Sequence, residues 1–261
     1  MEWIIFLLCL GASVLGSICG IGGGVILKPA LDLLGVMSVS TISFLSGLTV
    51  MAMSAISAVR QRKSRLVEMR TGLPLALGSA AGGIAGNALF QIVRGAVGQE
   101  QLVGMVQALA LAGITLMTLI YSAFFRDRIP SHHVHSTKGC LALGGVMGLM
   151  SAFLGTGGGP INLAILYFAF SMDTKKAAAN SLYIILFSQT ANFVTSLCRR
   201  TVPSFSWQYF LIMVAAGILG GILGTNINRR LSATAANRLF LALLTAVFLI
   251  CIYNALRFSH T

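Results

Sequence analysis

Charged side chains are scarce in this chain, and acidic ones are scarcer still. Only 9% of the residues are charged, and 6 of the 261 are Asp or Glu. Soluble domains carry roughly 25% charged residues, because their surfaces must contact water. With 56% hydrophobic residues and a mean hydropathy of +0.88, the composition excludes a soluble fold and predicts an integral membrane protein.

The sequence also lacks the patterns of a redox, metal or hydrolytic centre. Its five cysteines are scattered without CxxC spacing, which predicts neither a disulfide framework nor a metal site. It has no HExxH motif, and no pair of acids lies in the middle of an apolar segment. A membrane-embedded enzyme needs such side chains, so we expect a protein that is not an enzyme and holds no cofactor or metal.

Eight long apolar segments account for most of the chain. Each suffices for the roughly 20 residues that cross a bilayer as a helix. They cover residues 3–27, 38–59, 72–93, 102–125, 139–172, 177–198, 205–227 and 235–256. The first is not expected to be a cleaved signal, because Glu2 stands where a signal peptide carries positive charge and the apolar region is too long. The fold class predicted is an all-α polytopic protein whose partner is the lipid bilayer.

The charges that are present lie between or at the ends of these segments. The net charge of +12 comes from basic residues in short connections, above all RQRKSRLVEMR at residues 60–70. Such clusters mark cytoplasmic loops, and no soluble domain remains to hold a duplex, so no nucleic-acid partner is expected. All six acids lie at or near segment ends. Cation pumps and proton relays use carboxylates inside the membrane, so the cargo is expected to be anionic or neutral.

The chain repeats itself with a shift of 135 positions. SICGIGGGVILKPAL (17–31) then overlies AFLGTGGGPINLAIL (152–166), and a shift of 138 aligns GGIAG (82–86) with GGILG (220–224). The repeat predicts two homologous halves, residues 1–130 and 131–261, with four apolar segments each. The polar stretch RDRIPSHHVHSTK joins them. Its histidines, His132, His133 and His135, could ligate a metal, but they have no carboxylate or thiol nearby and are interpreted as part of a solvated linker.

Positive charge distinguishes parallel halves from inverted ones. If all eight segments cross the membrane, 11 of the 18 basic residues fall on one side and 7 on the other. If the glycine-broken first segment of each half returns as a hairpin, the division is 13 to 5, with Lys28, Arg94, Arg199, Arg200 and Arg257 on the poorer side. Because Lys and Arg concentrate in the cytoplasm, we expect hairpins, inverted halves and both termini on the non-cytoplasmic side.

The glycine runs are interpreted as the tips of these hairpins. A broken helix survives in hydrocarbon only inside protein or beside a water-filled cavity, and glycine permits the positive φ of a tight reversal. A short helix is expected after each run, with Pro160 in the first turn of the second. Two helix starts that face one cavity would present unpaired N–H groups to an anion. The alternative is close helix packing, which is the interpretation given to GGIAG and GGILG.

Polar side chains near the tips complete the expected site. Ser43 and Ser46 share one helix face, and Ser181 could share another with Gln189 and Asn192. Each could instead form an interhelix hydrogen bond. Lys28 is equally compatible with the anion path and with an interfacial position. The expected substrate-binding residues are Gly20, Gly22, Gly23, Gly24, Gly155, Thr156, Gly157, Gly158, Gly159, Ser43, Ser46, Asn180, Ser181, Gln189 and Asn192.

Duplicated GxGGG segments, each opening one half of a small polytopic protein, resemble the sulfite exporter family called TauE/SafE. The first motif continues to Pro29, as is common in that family, whereas the second has Ala164 at that offset and Pro160 instead. The resemblance implies a secondary transporter of the plasma (inner) membrane for sulfite, thiosulfate or an organosulfonate. An anion channel and a non-transporting assembly subunit are the alternatives. Uptake would require coupling to protons or sodium, since moving one negative charge inward against 100 mV costs about 2.3 kcal/mol.

Overall fold

The structure is a computed structural model that describes residues 2–61, 66–125, 134 and 136–260. These residues form ten α-helices joined by short connections, with no strand among them. The helices are α1 (Glu2–Cys19), α2 (Gly24–Leu34), α3 (Val39–Gln61), α4 (Met69–Val97), α5 (Glu100–Ile120), α6 (Thr137–Leu154), α7 (Gly159–Phe170), α8 (Thr174–Cys198), α9 (Trp207–Arg230) and α10 (Ala233–His260). The linker histidines His132, His133 and His135 lie outside the described residues.

Eight of these helices are long and apolar enough to cross a membrane, and α5 gains length from a π-helical turn at Tyr121–Phe125. The other two, α2 and α7, have 11 and 12 residues. At about 1.5 Å per residue they cover only about half of a hydrocarbon core about 30 Å thick. The prediction of an all-α polytopic membrane protein is confirmed, as is a short helix after each glycine run with Pro160 in its first turn.

In the first hairpin, α2 folds back along α1. A β-carbon added to Gly23 would lie 3.0 Å from the carbonyl oxygen of Ala12, so the chain after the glycine run passes beside the helix before it. Farther along, Leu27 and Leu31 of α2 share a buried cluster with Ile5 and other residues of α1. The two arms of this hairpin therefore run antiparallel.

In the second hairpin, α7 folds back along α6. A β-carbon on Gly158 would lie 2.9 Å from that of Ser151. The backbone N–H of Val134, just before α6, donates to the carbonyl of Ala169 near the end of α7, at 3.0 Å. The end of α7 therefore lies beside the start of α6.

Both reversals use backbone conformations that favour glycine. The φ angles are positive at Gly20 (76°), Gly22 (73°), Gly155 (63°), Gly157 (88°) and Gly158 (65°). A residue with a β-carbon is strained in this region, whereas glycine is not. The run of glycines is thus a requirement of the turn.

Hydrogen bonds tie the helix ends into two groups. At what we term the amino end, Ser40 at the start of α3 donates to Glu100 at the start of α5 (2.8 Å), and Arg257 near the end of α10 donates to the carbonyl of Leu33 near the end of α2. At the opposite end, termed the linker end, Arg60 of α3 donates to Asn226 of α9 (2.7 Å). The first hairpin begins and ends at the amino end, and the second at the linker end.

The GGIAG and GGILG motifs pack helices closely, as predicted. Gly82 and Gly86 lie against backbone carbonyls of α6, and Gly224 lies against the carbonyl of Val14 in α1, where a β-carbon would be 2.5 Å away. Small residues at these positions let the backbones approach each other. Helix α4 thereby packs on α6, and α9 packs on α1.

Replacing Gly82 with alanine is expected to destabilise the protein by about 1–3 kcal/mol, because the added β-carbon overlaps the carbonyl oxygen of Gly145. Thermal unfolding of the purified protein in detergent measures the effect. Gly113→Ala in α5 is the matched control, since nothing lies within 4 Å of its added β-carbon. Its stability should be unchanged or slightly higher, because alanine favours helix over glycine by about 1 kcal/mol. Equal losses in both variants would show that the α4 and α6 contact is loose.

Candidate functional site at the hairpin tips

The two hairpin tips contact each other inside the bundle. A β-carbon on Gly159 would overlap the carbonyl oxygen of Ile21, and one on Gly24 would lie 2.5 Å from the carbonyl oxygen of Thr156. Ile21 and Thr156 are both completely buried. The backbones touch closely enough to leave no space for a solute at this contact, and carbonyl oxygens rather than N–H groups face the opposite glycine.

Two aliphatic side chains flank this contact from either side. A β-carbon on Gly22 would lie 3.3 Å from both Val50 of α3 and Ile185 of α8, and one on Gly157 would lie 3.0 and 3.5 Å from them. Both side chains are fully buried. The centre of the bundle is therefore closed by backbone and by apolar groups that a hydrated anion does not pass.

A polar cavity leads from the amino end down to the second tip. It reaches Ser43 and Gly155 at its inner end, with Arg94 among its lining residues. On its wall Asn87 donates to Asn192 at 2.7 Å and to Ser196 at 2.9 Å. Hydroxyl, amide and guanidinium groups are the donors that recognise oxyanions, so the lining of this cavity suits a small anion.

A compact polar cluster occupies the corresponding place on the linker side of the tips. The hydroxyl of Ser57 lies 3.2 Å from that of Ser17 and accepts from Thr225 at 3.2 Å. All three residues are at most 1% exposed. A β-carbon on Gly20 would overlap the backbone of Ala178. This side of the tips is packed shut.

The cluster and the cavity wall are related by the sequence repeat. A shift of 135 takes Ser57 to Asn192, and a shift of 138 takes Asn87 to Thr225. The same shift of 135 takes Val50 to Ile185 across the tip contact. Equivalent positions thus line an open polar cavity on one side of the tips and a closed polar cluster on the other.

The chain matches one family model, Sulfite exporter TauE/SafE, over residues 5–250. It belongs to the TauE/SafE family. Similar curated proteins include the "Probable membrane transporter protein YunE" of Bacillus subtilis (strain 168), which is 23% identical over an alignment of 248 residues that covers 87% of this chain and 89% of that protein. Proteins named "Probable membrane transporter protein" from Xylella fastidiosa strains Temecula1 / ATCC 700964 and 9a5c are 27% and 28% identical over 195 residues, 71% of this chain and 69% of each relative. No solved structure matches significantly. The resemblance seen in the glycine motifs is confirmed, and the protein is a membrane transporter.

Within this TauE/SafE protein the predicted serines lie at the second tip. Ser46 donates to the carbonyl of Gly155 at 2.8 Å. Ser43 lines the cavity, and its hydroxyl has no hydrogen-bond partner among the described residues. Gln189 donates to the hydroxyl of Ser151 at 2.8 Å, beneath the same tip.

Asn180, Gly23 and Gly158 do not face the contact between the tips, whereas Ser181 is buried within the bundle. Asn180 faces the linker end, where its amide donates to the carbonyl of Leu66 at 3.2 Å. Ser181 is completely buried. Gly23 and Gly158 face the preceding arm of their own hairpin, as described above, rather than the opposite tip.

The TauE/SafE cavity includes polar residues that the sequence analysis missed. Asn87, Gln91 and Arg94 project from the last turns of α4. Asn162 in the first turn of α7 is completely buried, and neither its amide nitrogen nor its oxygen has a hydrogen-bond partner among the described residues. The signal in the sequence that could have indicated them is the presence of polar side chains within apolar segments away from the glycine motifs.

Lys28 takes neither of the two positions considered for it. The side chain is 3% exposed, and its ammonium donates to Asp32 at 2.8 Å. The acid is near a helix end in sequence, yet the short helix α2 is enclosed by α10 and other helices, so both charges are inside the protein. The interfacial alternative for Lys28 is therefore wrong, and it is not among the residues that line the cavity at the tip.

Proposed function

We propose that this TauE/SafE protein is a secondary transporter that carries a small sulfur oxyanion across the plasma (inner) membrane by alternating access. Sulfite, thiosulfate and organosulfonates are the candidate substrates. The observation that carries the proposal is the closed contact of Gly24 with Thr156 and of Gly159 with Ile21, which has a polar cavity on one side and a closed polar cluster on the other. A pathway closed at its centre and open on one side requires a conformational change for each passage, and this favours a carrier over a channel.

The two halves, residues 1–130 and 131–261, are proposed to be inverted repeats. In support, equivalent helices make equivalent contacts: α4 packs on α6 as α9 packs on α1, α4 on α8 as α9 on α3, and α5 on α7 as α10 on α2. The hairpins that open the halves begin at opposite ends of the bundle. Rocking of such repeats against each other would open one polar path while closing the other.

The linker end is proposed to face the cytoplasm. Its described helix ends carry more basic residues than those of the amino end, as the positive-inside rule requires. At the linker end lie Arg60, Arg70, Lys138, Lys175, Lys176, Arg229 and Arg230, and at the amino end lie Arg94, Arg199, Arg200 and Arg257. The termini and the open cavity then face the outside.

Substrate binding is proposed to occur where the tips separate. The starts of α2 and α7 would then supply backbone N–H groups and the positive ends of two helix dipoles. The glycines at positions 20, 22–24, 155 and 157–159 let the anion approach the backbone, with hydroxyls from Thr156, Ser43, Ser46 and Ser181. Asn192 would bind the anion as it enters, and Gln189 would hold Ser151 beneath the second tip. Asn180 would bind the anion on the linker side.

Flux measurements in liposomes test this proposal. The purified protein is reconstituted and supplied with labelled sulfite, thiosulfate, taurine or sulfoacetate, with and without a pH gradient. Saturable flux of at least one of these compounds, with counterflow driven by unlabelled substrate, is expected. Absence of flux for all four would contradict the proposed function, and flux without saturation or counterflow would indicate a channel.

Arg94 is expected to attract anions into the cavity. Its side chain is 40% exposed and pairs with Glu100 at 3.4 Å. Arg94→Gln should raise the KM for the anion several-fold at low salt and much less at 0.5 M salt, because salt screens exposed charges. The maximal rate should change little. Arg230→Gln removes the same charge at the linker end and should leave the KM for outside substrate unchanged; equal effects of both variants would contradict a role for Arg94.

A further inference from the structure

Helix α2 carries a buried ion pair in a small polar cavity of its own. The ammonium of Lys28 lies 2.8 Å from Oδ2 of Asp32, and the two side chains are 3% and 4% exposed. Gln107 of α5 and Asn254 of α10 line the same cavity. This cavity is distinct from the one that reaches Ser43.

Three oxygens in this cavity lack a hydrogen-bond donor among the described residues: Oδ1 of Asp32, Oε1 of Gln107 and Oδ1 of Asn254. The amide orientations are fixed, because Gln107 donates its Nε2 to the carbonyl of Phe153 at 2.6 Å and Asn254 donates its Nδ2 to the carbonyl of Pro29 at 2.8 Å. All three residues are at least nine-tenths buried. Buried acceptors nearly always have a partner, and together with Oδ2 of Asp32 these four oxygens outnumber the three N–H groups of the Lys28 ammonium by one.

The charged and polar groups that line this cavity determine which ligand it can bind. An anion would meet three lone-pair oxygens, and a metal cation would lie beside the ammonium of Lys28 as a like charge. A proton bound to Asp32 suits the cavity, because the carboxyl then donates one hydrogen, and the ammonium of Lys28 can turn to the amide oxygens.

A route for protons reaches this carboxyl from the amino end. Asp32 also lines a wide, open cavity that it shares with Gly35, Ser38 and Glu100. The titratable and charged groups that face it are Lys28 on its own helix, Cys251 and Arg257 on α10, and Glu100 at the start of α5. The ammonium of Lys28 is the charge in direct contact with it.

The ion pair lies on the same short helix as the first tip. Lys28 and Asp32 follow Gly24 by one and two turns, and Gly24 touches Thr156 of the opposite tip. The bond from Asn254 to the carbonyl of Pro29 holds this helix against α10. Protonation of Asp32 would change the interactions that hold α2 against its neighbours. It would thereby change the contact between Gly24 and Thr156 that closes the path.

We propose that Asp32 binds the proton that couples anion transport to a proton gradient, an inference that rests on the proposed transport function. With the amino end outside, the proton is taken from the outside together with the anion. The coupled process is therefore uptake.

Proteoliposomes containing labelled anion test the coupling separately from transport. Equilibrium exchange without a gradient measures transport alone, and uptake driven by an acidic exterior measures coupling. The wild type is expected to accumulate anion several-fold in response to the pH gradient. Asp32→Asn, and the neutral pair Lys28→Gln with Asp32→Asn, should retain exchange and lose this accumulation, whereas the exposed control Glu2→Gln should retain both.

The other outcomes would contradict either the role of Asp32 in proton coupling or the proposed transport function. Absence of wild-type exchange would overturn the proposed function. Exchange with accumulation driven by a sodium gradient alone, or an unchanged pH response in a folded Asp32→Asn variant, would overturn the inference. If those variants do not fold, Asn254→Leu and Gln107→Met keep the ion pair and should shift the external pH for half-maximal uptake, and an unshifted pH profile would overturn the inference.

Discussion

Replacing Gly159 with alanine is expected to reduce anion flux about tenfold or more while the protein still inserts into the membrane. The added β-carbon overlaps the carbonyl oxygen of Ile21 in the opposite tip. Overpacking of this kind costs about 1–3 kcal/mol, and here the cost falls on the state in which the tips are in contact. Since about 1.4 kcal/mol changes a population tenfold, a transporter that must pass through this closed state is slowed accordingly.

The flux of Gly159→Ala is compared with that of Gly113→Ala at equal amounts of protein in the membrane. Gly113 has open space around its added β-carbon and should transport normally. Thermal unfolding in detergent distinguishes a misfolded protein from a folded one with a displaced tip. A folded Gly159→Ala protein that transports at the wild-type rate would show that the contact of the tips has no part in transport.

The second large effect is expected from a bulky negative thiol reagent on Ser43→Cys. This residue is 7% exposed and lies at the inner end of the cavity beside Gly155, so a sulfonate attached there should block the path and abolish flux. The variant is made in a Cys198→Ser background, because Cys198 is the exposed cysteine among the described residues, whereas the other four are buried. Reagent added from outside should act within minutes, and substrate should slow the reaction.

Ser57→Cys provides the matched position on the other side of the tips. Ser57 is completely buried in the closed polar cluster, so its cysteine should react slowly at rest and faster while the protein transports. The two rates report the two sides of one alternating cycle. Equal and fast reaction at both positions without substrate would indicate a continuous open channel instead.

The sequence predicted best what is decided locally. Positive φ at Gly20 and Gly155 and the helix start at Pro160 follow from the residues themselves and their neighbours, so the hairpin tips and short helices could be placed. The packing role of Gly82 also followed from its motif. Because the glycine motif occurs in both halves, the two tips could be predicted to form one site.

What the sequence did not predict depends on neighbours far along the chain. The bond between Asn87 and Asn192 joins residues 105 positions apart, and neither side chain indicates its partner. The burial of Lys28 and Asp32 follows from the enclosure of α2 by other helices, which hydropathy does not reveal. Asn180 was predicted to lie near the tip because it follows the glycine motif closely, but it lies in the second turn of α8, which begins at the linker end.

The passage of an anion between the glycine tips is the central claim, and selenite allows the most direct measurement of it. Crystals of the active protein soaked with selenite would reveal the selenium by anomalous scattering. The account predicts a peak between the two tips, within hydrogen-bond reach of backbone N–H groups in residues 20–24 and 155–159. A peak only elsewhere in the protein, at selenite concentrations that saturate flux, would contradict it.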